Sequence, residues 1–333
     1  ILDEVQLVTA VGYDLTIDNK IEATAVFPSY LVDNSVKNNT LTATANLSKD
    51  IRDKMDRMSS KPLVSGKIEV ALYSEAFAEK GIINVLDTFI RDPTTGARMY
   101  LVVVEGDLKN ELKIQYADTD NGMFLSNLIE HNIHRGFIPM TNLQIFTKTY
   151  YSEGGDPFLP LLTLSNGKVY IKGLALFKDD KYVGSLTLEE NHIFKILLEP
   201  STENTIQTVD LEDSSASIVN VSTNRKLTVK NPLTDPEINI KINTSSIVRE
   251  YSGNNLSKEM INKIKEKMEI EIKTKSSEMI KQFQDLNIDP IRIGFYVKHT
   301  NRNWDKDIWY SLYPNAKVNI DVNVDITETG VIN

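Results

Sequence analysis

Val169–Leu186 reads VYIKGLALFKDDKYVGSL, two short apolar runs, each carrying a glycine, around the turn-prone KDDK. Apolar runs of this kind on either side of a polar turn predict a β-hairpin. A glycine among packed apolar residues marks either a backbone brought close to a ligand or a bulge or tight strand crossing. The architectural reading is adopted: Gly173, Ala175, Phe177 and Gly184 form a structural motif that lets strands of a hairpin core approach closely. The same grammar opens the chain, where VQLVTAVGYDL (5–15) and KIEATAVFPSY (20–30) flank the turn TIDN. NTLTATANL (39–47) alternates as a third strand, and SKDIRDKMDRMSS sets Ile51, Met55 and Met58 at helical spacing behind Ser48 as N-cap.

Between these hairpin regions the pattern changes. KIEVALYS reads as a strand, IINVLDTFIRD as a helix closed by Pro93, ARMYLVVVEG as a buried strand and FLSNLIEHNIHRG as a helix ended by Gly136. That order predicts a small βαβ unit, with a further helix at TNLQIFTKTYY before the loop SEGGDPFLP. Hairpins on both sides of one α/β unit are read as a sheet domain interrupted by an insertion. Residues 199–224, rich in Ser, Thr, Asn and Asp, read as a linker with one embedded strand, SIVNVST. KLTVK and EINIKINTSSIVREY are strands beyond it. SKEMINKIKEKMEIEIKTKSSEMIKQFQDLNID is the longest helix, with Ile261, Ile264, Met268, Ile272, Met279 and Phe283 in one stripe interrupted at Ser276. RIGFYVKH and AKVNIDVNVDI read as strands, with DKDIWYSLY helical between them. The expected class is α+β, a three-domain protein with mixed β-sheets. Domain I comprises 1–60 and 151–200, domain II is the inserted α/β unit 61–150, and domain III, 201–333, is a sheet carrying the long amphipathic helix.

Composition excludes several functions. A net charge of -9, from 37 basic and 46 acidic residues, repels phosphate backbones, so no nucleic acid is expected as partner. The absence of cysteine removes thiol catalysis and Cys-based metal sites. No apolar run approaches the roughly 20 residues of a membrane helix, and the chain begins at once with strand-like sequence, so any signal peptide or anchor is expected to have been cut away or never present.

Site chemistry is sparse. His131 and His134 stand i, i+3 on a predicted helix, a spacing that a metal could share, but only Glu130 lies nearby; a solvated or capping pair is the preferred reading. His192 and His299 are isolated. DTDNG (118–122) resembles the start of a calcium loop, but its glycine comes one residue early and no glutamate closes it, so a turn is expected. No G-x-S-x-G, P-loop or G-x-G-x-x-G is present, and pairs such as Glu189 with Glu190 or Glu105 with Asp107 carry no information alone. No catalytic residue, metal or cofactor is expected. The long helix interleaves seven lysines, Lys258 to Lys281, with five glutamates, the look of a solvated face; contact with anionic lipid is the alternative. Trp304, Trp309, Tyr310 and Tyr313 form either an aromatic interface or a buried patch. Burial is preferred, with Trp304, Ile308 and Leu312 on one helical face.

VQLVTAVGYD, the G-x-A-x-F of Gly173, Ala175 and Phe177 followed by K-x-V-G-x-L, and EENHIFKILLE together resemble the C subunit of bacterial spore germinant receptors, the Ger(x)C spore germination lipoprotein family. The long helix, Asp289, Gly294, a Trp-containing segment and an alternating strand before Gly330 are similar to that family's C-terminal end. Where the family commonly has a D-x-F-G-F-G type sequence, DPIRIGF keeps only Asp289, Gly294 and Phe295. The resemblance implies an exported lipoprotein, diacylated on a cysteine upstream of Ile1 and held on the outer face of the inner spore membrane. It also implies integral-membrane A and B subunits as partners in a nutrient receptor. A noncatalytic subunit docking on those partners is the leading reading, and a domain that itself binds a small germinant is the alternative. An enzyme is disfavoured by the missing motifs.

Overall fold

In the computed structural model, which describes residues 4–33 and 35–329, Val169–Leu186 folds as a hairpin of β9 (Lys168–Lys178) and β10 (Lys181–Thr187), turning at Asp179–Asp180. Asp179 takes the left-handed conformation, φ 53°, which Asp tolerates better than most residues. The N-terminal hairpin region also forms, as β2 (Ala10–Leu15), β3 (Ile21–Tyr30) and β4 (Val36–Ala45). These two regions are opposite ends of one sheet.

The intervening strands β6 (Val70–Ser74), β7 (Tyr100–Glu105) and β8 (Phe158–Ser165) complete an eight-stranded sheet in the order β10-β9-β8-β7-β6-β2-β3-β4. The β8-β7-β6-β2 pairings are parallel and both ends are antiparallel. Residues 61–150 are therefore not an insertion beside the hairpin sheet but supply its centre. Parallel neighbours cannot be joined by tight turns. The crossovers are α1 (Ser48–Met58), then α2 (Glu75–Lys80) with α3 (Ile83–Arg91), then α4 (Leu108–Glu111), α5 (Asn121–His134) and α6 (Leu143–Tyr151). A short parallel pair, β1 (Gln6–Leu7) with β5 (Leu63–Val64), lies apart from the large sheet. Central strands are buried on both faces, so Val70–Ser74 is buried throughout, as parallel strands covered by helices must be. On one face Val11, Tyr13, Ala25, Tyr73, Val103 and Phe177 share a core with Ile51 and Met55 of α1, Val85 and Phe89 of α3 and Phe146 of α6. On the other, a Cβ on Gly12 would stand 2.6 Å from the Leu112 Cδ1 at the end of α4, so glycine here leaves room for the Leu108 and Leu112 side chains.

Contacts divide the chain into two compact units, the first of residues 1–151 and 156–188, the second of 152–155 and 189–333. The second begins with α7 (Leu188–Leu198), so the boundary falls before this helix rather than at 200. The expected linker is instead a pair of long antiparallel strands, β11 (Ser201–Asp210) and β12 (Ser215–Lys230), in a four-stranded sheet β11-β12-β13-β14 with β13 (Glu237–Tyr251) and β14 (Lys317–Thr329). Its polar composition is accommodated by cross-strand hydrogen bonding. Buried Ser246 donates to Asn220 Oδ1 at 2.7 Å, and Thr223 and Thr244 are bonded at 3.1 Å. The helix α8 (Lys258–Asp285) spans 28 residues, about 42 Å, and packs against β14. Its buried stripe runs Ile264, Met268, Ile272, Ser276, Met279 and Phe283, with Ile261 half-buried.

Three further expectations differ from the structure. RIGFYVKH is not a strand; Ile293–Thr300 is helix α9, whose Ile293, Gly294 and Val297 share a buried face. In α10 (Lys306–Leu312) the buried residue is Trp309, stacked on buried Tyr313, whereas Ile308 is 43% exposed and Trp304 only half-buried. Asp305, accepting from the Ile308 amide at 2.9 Å, starts the helix after Trp304, which therefore does not share a helical face with Ile308 and Leu312. Ser48 is the first helical residue of α1 rather than its cap.

Candidate functional site

β9 lies between β8 and β10, which places Gly173 opposite both Leu161 and Thr187. A Cβ built there would stand 2.9 Å from the Leu186 carbonyl carbon, closer still to its oxygen, and 3.2 Å from Thr187 Cα. These are backbone atoms of a paired strand, so the crowding is between strands. Ala175 and Phe177 are fully buried, and Phe177 meets Phe146 edge-on at 5.3 Å. Gly184 sits at a register shift where β10 passes from Tyr182 to Gly184 against consecutive residues of β9, leaving Val183 as the extra residue of a bulge. The turn reaches further: Asp180 Oδ2 accepts from the Ile83 amide at 3.0 Å and the Asp180 carbonyl from the Ile82 amide at 3.1 Å. Asp180 thereby caps α3, whose own Ile82 offers no side-chain acceptor. Gly173, Ala175, Phe177 and Gly184 thus share one hairpin, whose turn residue Asp180 caps α3.

The remaining titratable candidates are dispersed. His131 and His134 occupy the last turn of α5, where cationic groups suit the helix dipole. His299 Nδ1 meets the Phe295 carbonyl oxygen at 2.8 Å. His192, on α7, is half-buried with its Nε2 shielded from solvent; burial pushes its imidazole down to about 4, with Lys195 and Lys275 acting in the same direction and Gln207 and Glu271 opposing. Within DTDNG, Asp120 caps α5 through the Gly122 amide at 2.8 Å and accepts from Thr9 Oγ1 at 2.7 Å. Glu105 pairs with Lys172 at 2.7 Å, and Asp107 caps α4. Glu189 and Glu190 stand in the first turn of α7. Among the described residues, no group of three or more His, Asp or Glu is placed to hold a metal ion. Of the lysines on α8, Lys263, Lys265, Lys275 and Lys281 pair with acids one turn away.

Asp289 builds the turn before α9. It is fully buried, and its two oxygens accept from the Ile293 amide at 2.9 Å and the Gly294 amide at 2.6 Å. Arg292 occupies the left-handed region at φ 61°, ψ 42°. Arg292 is thus a non-glycine residue in the conformation that glycine favours. Gly294 crosses Gly154 so closely that a Cβ would lie 2.9 Å from Gly154 Cα and 2.6 Å from Trp309 Nε1.

The sequence offered no sign of a cavity of about 490 Å³ in the first unit, between the β2–β3 face, α1 and α3. Its apolar lining includes Val11, Ala23, Ala25, Ile51, Met55 and Phe89. β3 presents Ala23 and Ala25 to this space, opposite Tyr13 and Val11 of β2, and Ala43 of β4 stands beside Ala23. Tyr13 also lines it, with Lys49, Arg52, Ser65, Asp87, Arg91 and Asp92. Arg91 is held by Asp87 at 2.6 Å, whereas Arg52, 62% exposed, reaches Asp92 only at 3.5 Å. Asp92 is already served by Thr94 and Ser65, which with Arg52 hold its carboxyl below the usual range.

Comparison with known proteins adds a family. Residues 1–164 match the family model described as spore germination protein N-terminal domain, and residues 172–330 match spore germination B3/GerAC like, C-terminal. The chain is 26% identical over 337 residues to the spore germination protein GerQC of Bacillus cereus, covering 99% of this chain and 94% of that one. The crystal structure of the GerBC protein shares the fold at a TM-score of 0.60 and 15% identity, over 95% of this chain and 96% of that one.

Proposed function

This chain belongs to the Ger(x)C family of spore germinant receptor C subunits, and from that premise we propose that it is the noncatalytic, lipid-anchored C subunit of a nutrient germinant receptor. Its place is the outer face of the inner spore membrane, in assembly with integral-membrane A and B subunits, and its role is to let that receptor form and signal. The observation that carries this reading is the match of both halves of the chain, 1–164 and 172–330, to spore germination family models. Neither description names a reaction. Attachment in this reading is by an acylated cysteine upstream of Ile1 and through the partner subunits; among the described residues no helix is long and apolar enough to cross a membrane. Ile1 and Gly330 themselves lie outside the described residues. A diacylglyceryl group carries two chains, which suffices for stable anchoring.

The test is fractionation of spores carrying a precursor whose anchor cysteine is replaced by alanine. The wild type is expected in the inner-membrane fraction and the variant outside it; unchanged retention of the variant would remove the lipid anchor from the proposal. A second reading, direct binding of a small molecule, is favoured by one observation, the cavity under α1.

A further inference from the structure

The cavity between the β2–β3 face, α1 and α3 has the size of ligand pockets, ~300–1,000 Å³, at about 490 Å³. Its floor is apolar and its charged groups stand together. α1 contributes the two cations that count: Lys49, exposed and without an ion-pair or hydrogen-bond partner among the described residues, and Arg52, whose only such contact is the 3.5 Å approach to Asp92. A guanidinium has five donors in a planar fork suited to carboxylates, so Arg52 retains most of its capacity. The buried Tyr13 ring lines the same space, and the charge of Arg52 reaches its phenol. Asp87 and Asp92 disfavour a dianion at this mouth, because each added negative charge meets two carboxylates. A single negative charge on an apolar body satisfies both the floor and the free cations.

We propose that this cavity binds a small molecule with an apolar body and a carboxylate head, the body resting on Ala23 and Ala25 beneath Ile51 and Met55, and the carboxylate on Arg52. This goes beyond the receptor-subunit reading and does not depend on it, since binding is measured on the isolated full chain.

Octanoate is the probe, titrated into the full chain and followed by calorimetry, with octan-1-ol as the uncharged control. One saturable site per chain is expected, and octan-1-ol should bind at least about tenfold more weakly, the scale of one charge-assisted hydrogen bond. Arg52→Gln, on an exposed position that leaves the core intact, should weaken octanoate by about tenfold or more. Ala25→Leu, at a lining position only 3% exposed, should abolish binding and, by overpacking the core beside it, lower the melting temperature. Absence of saturable binding overturns the proposal. So does equal affinity of Arg52→Gln and wild type, or of octan-1-ol and octanoate. Because Arg52→Gln does not touch the core, the head-group assignment stays testable even if Ala25→Leu fails to fold.

Discussion

Substituting Gly173 tests whether β9 and β10 cross as closely as the structure has them. A Cβ at 2.9 Å from the Leu186 carbonyl carbon, and nearer its oxygen, must be relieved to ordinary contact at ~3.5–4 Å. That requires β10 to retreat on the order of 1 Å from β9. The movement falls on the Leu186↔Leu174 and Thr187↔Gly173 pairs, so it strains their ladder hydrogen bonds, each worth about 0.5–1.5 kcal/mol, in addition to overpacking of about 1–3 kcal/mol. Gly173→Ala should therefore cost about 3 kcal/mol and Gly173→Val more. In a unit of this size that lowers the melting temperature by roughly 6–12 °C. The control is Gly96→Ala, where an added methyl meets nothing within 4 Å and stability should stay within about 0.5 kcal/mol. Urea unfolding of the three variants beside wild type gives the comparison. If Gly173→Ala melts with Gly96→Ala, the strands are not in close contact and the architectural account of the glycine is wrong. A normally stable Gly173→Val protein that fails in response to one nutrient only would move the residue to ligand recognition.

Other expectations follow from the second unit. Asp289→Ala removes a buried carboxylate serving two amides and should destabilise that unit by about 3 kcal/mol or more, read as loss of its unfolding transition at lower urea. Arg292→Gly should be more stable than Arg292→Ala by about 1 kcal/mol, because both lose the same side chain and only glycine relaxes the left-handed backbone; equal stability would refute strain there. His192, held down to about 4 by burial against ~6.5 unfolded, leaves the unfolded chain binding the proton first. Its contribution is full above about pH 6.5 and is lost as pH falls towards 4, amounting to about 2 kcal/mol between pH 7.5 and 5. His192→Phe should lack that part of the pH dependence in urea midpoints measured at both values.

Elements whose burial follows a simple period were legible in the sequence. Strands such as Ala10–Leu15 and Leu101–Val104 carry nearly continuous apolar runs, and the stripe from Ile264 to Phe283 is apolar except at buried Ser276. Failures occur where the inward positions are polar or the capping is remote. Asn220, Thr223, Thr244 and Ser246 are buried through bonds to one another across strands, and no local pattern tells such a strand from a linker. The helix at Ile293–Thr300 is set by Asp289, which overrides the β-branched and aromatic look of RIGFYVKH. Hairpin regions on either side of the α/β segment suggested one domain with an insertion; pairing of β2 with β6 and β8 with β7 makes that segment the middle of the same sheet. The cavity was invisible because Ala23, Arg52 and Phe89 lie far apart in sequence. Alanine in a strand gives no sign of what stands over it.

Central to this account is membership in a membrane receptor of spores, and the most direct measurement is recovery of partners. Tagged protein is crosslinked in intact spores, purified from detergent-solubilised inner membranes and analysed by mass spectrometry, beside spores lacking it. A and B subunits of one germinant receptor should be recovered with it, and the response to one class of nutrient should be lost in its absence. Recovery without either membrane subunit, together with unchanged germination in its absence, would contradict the assignment.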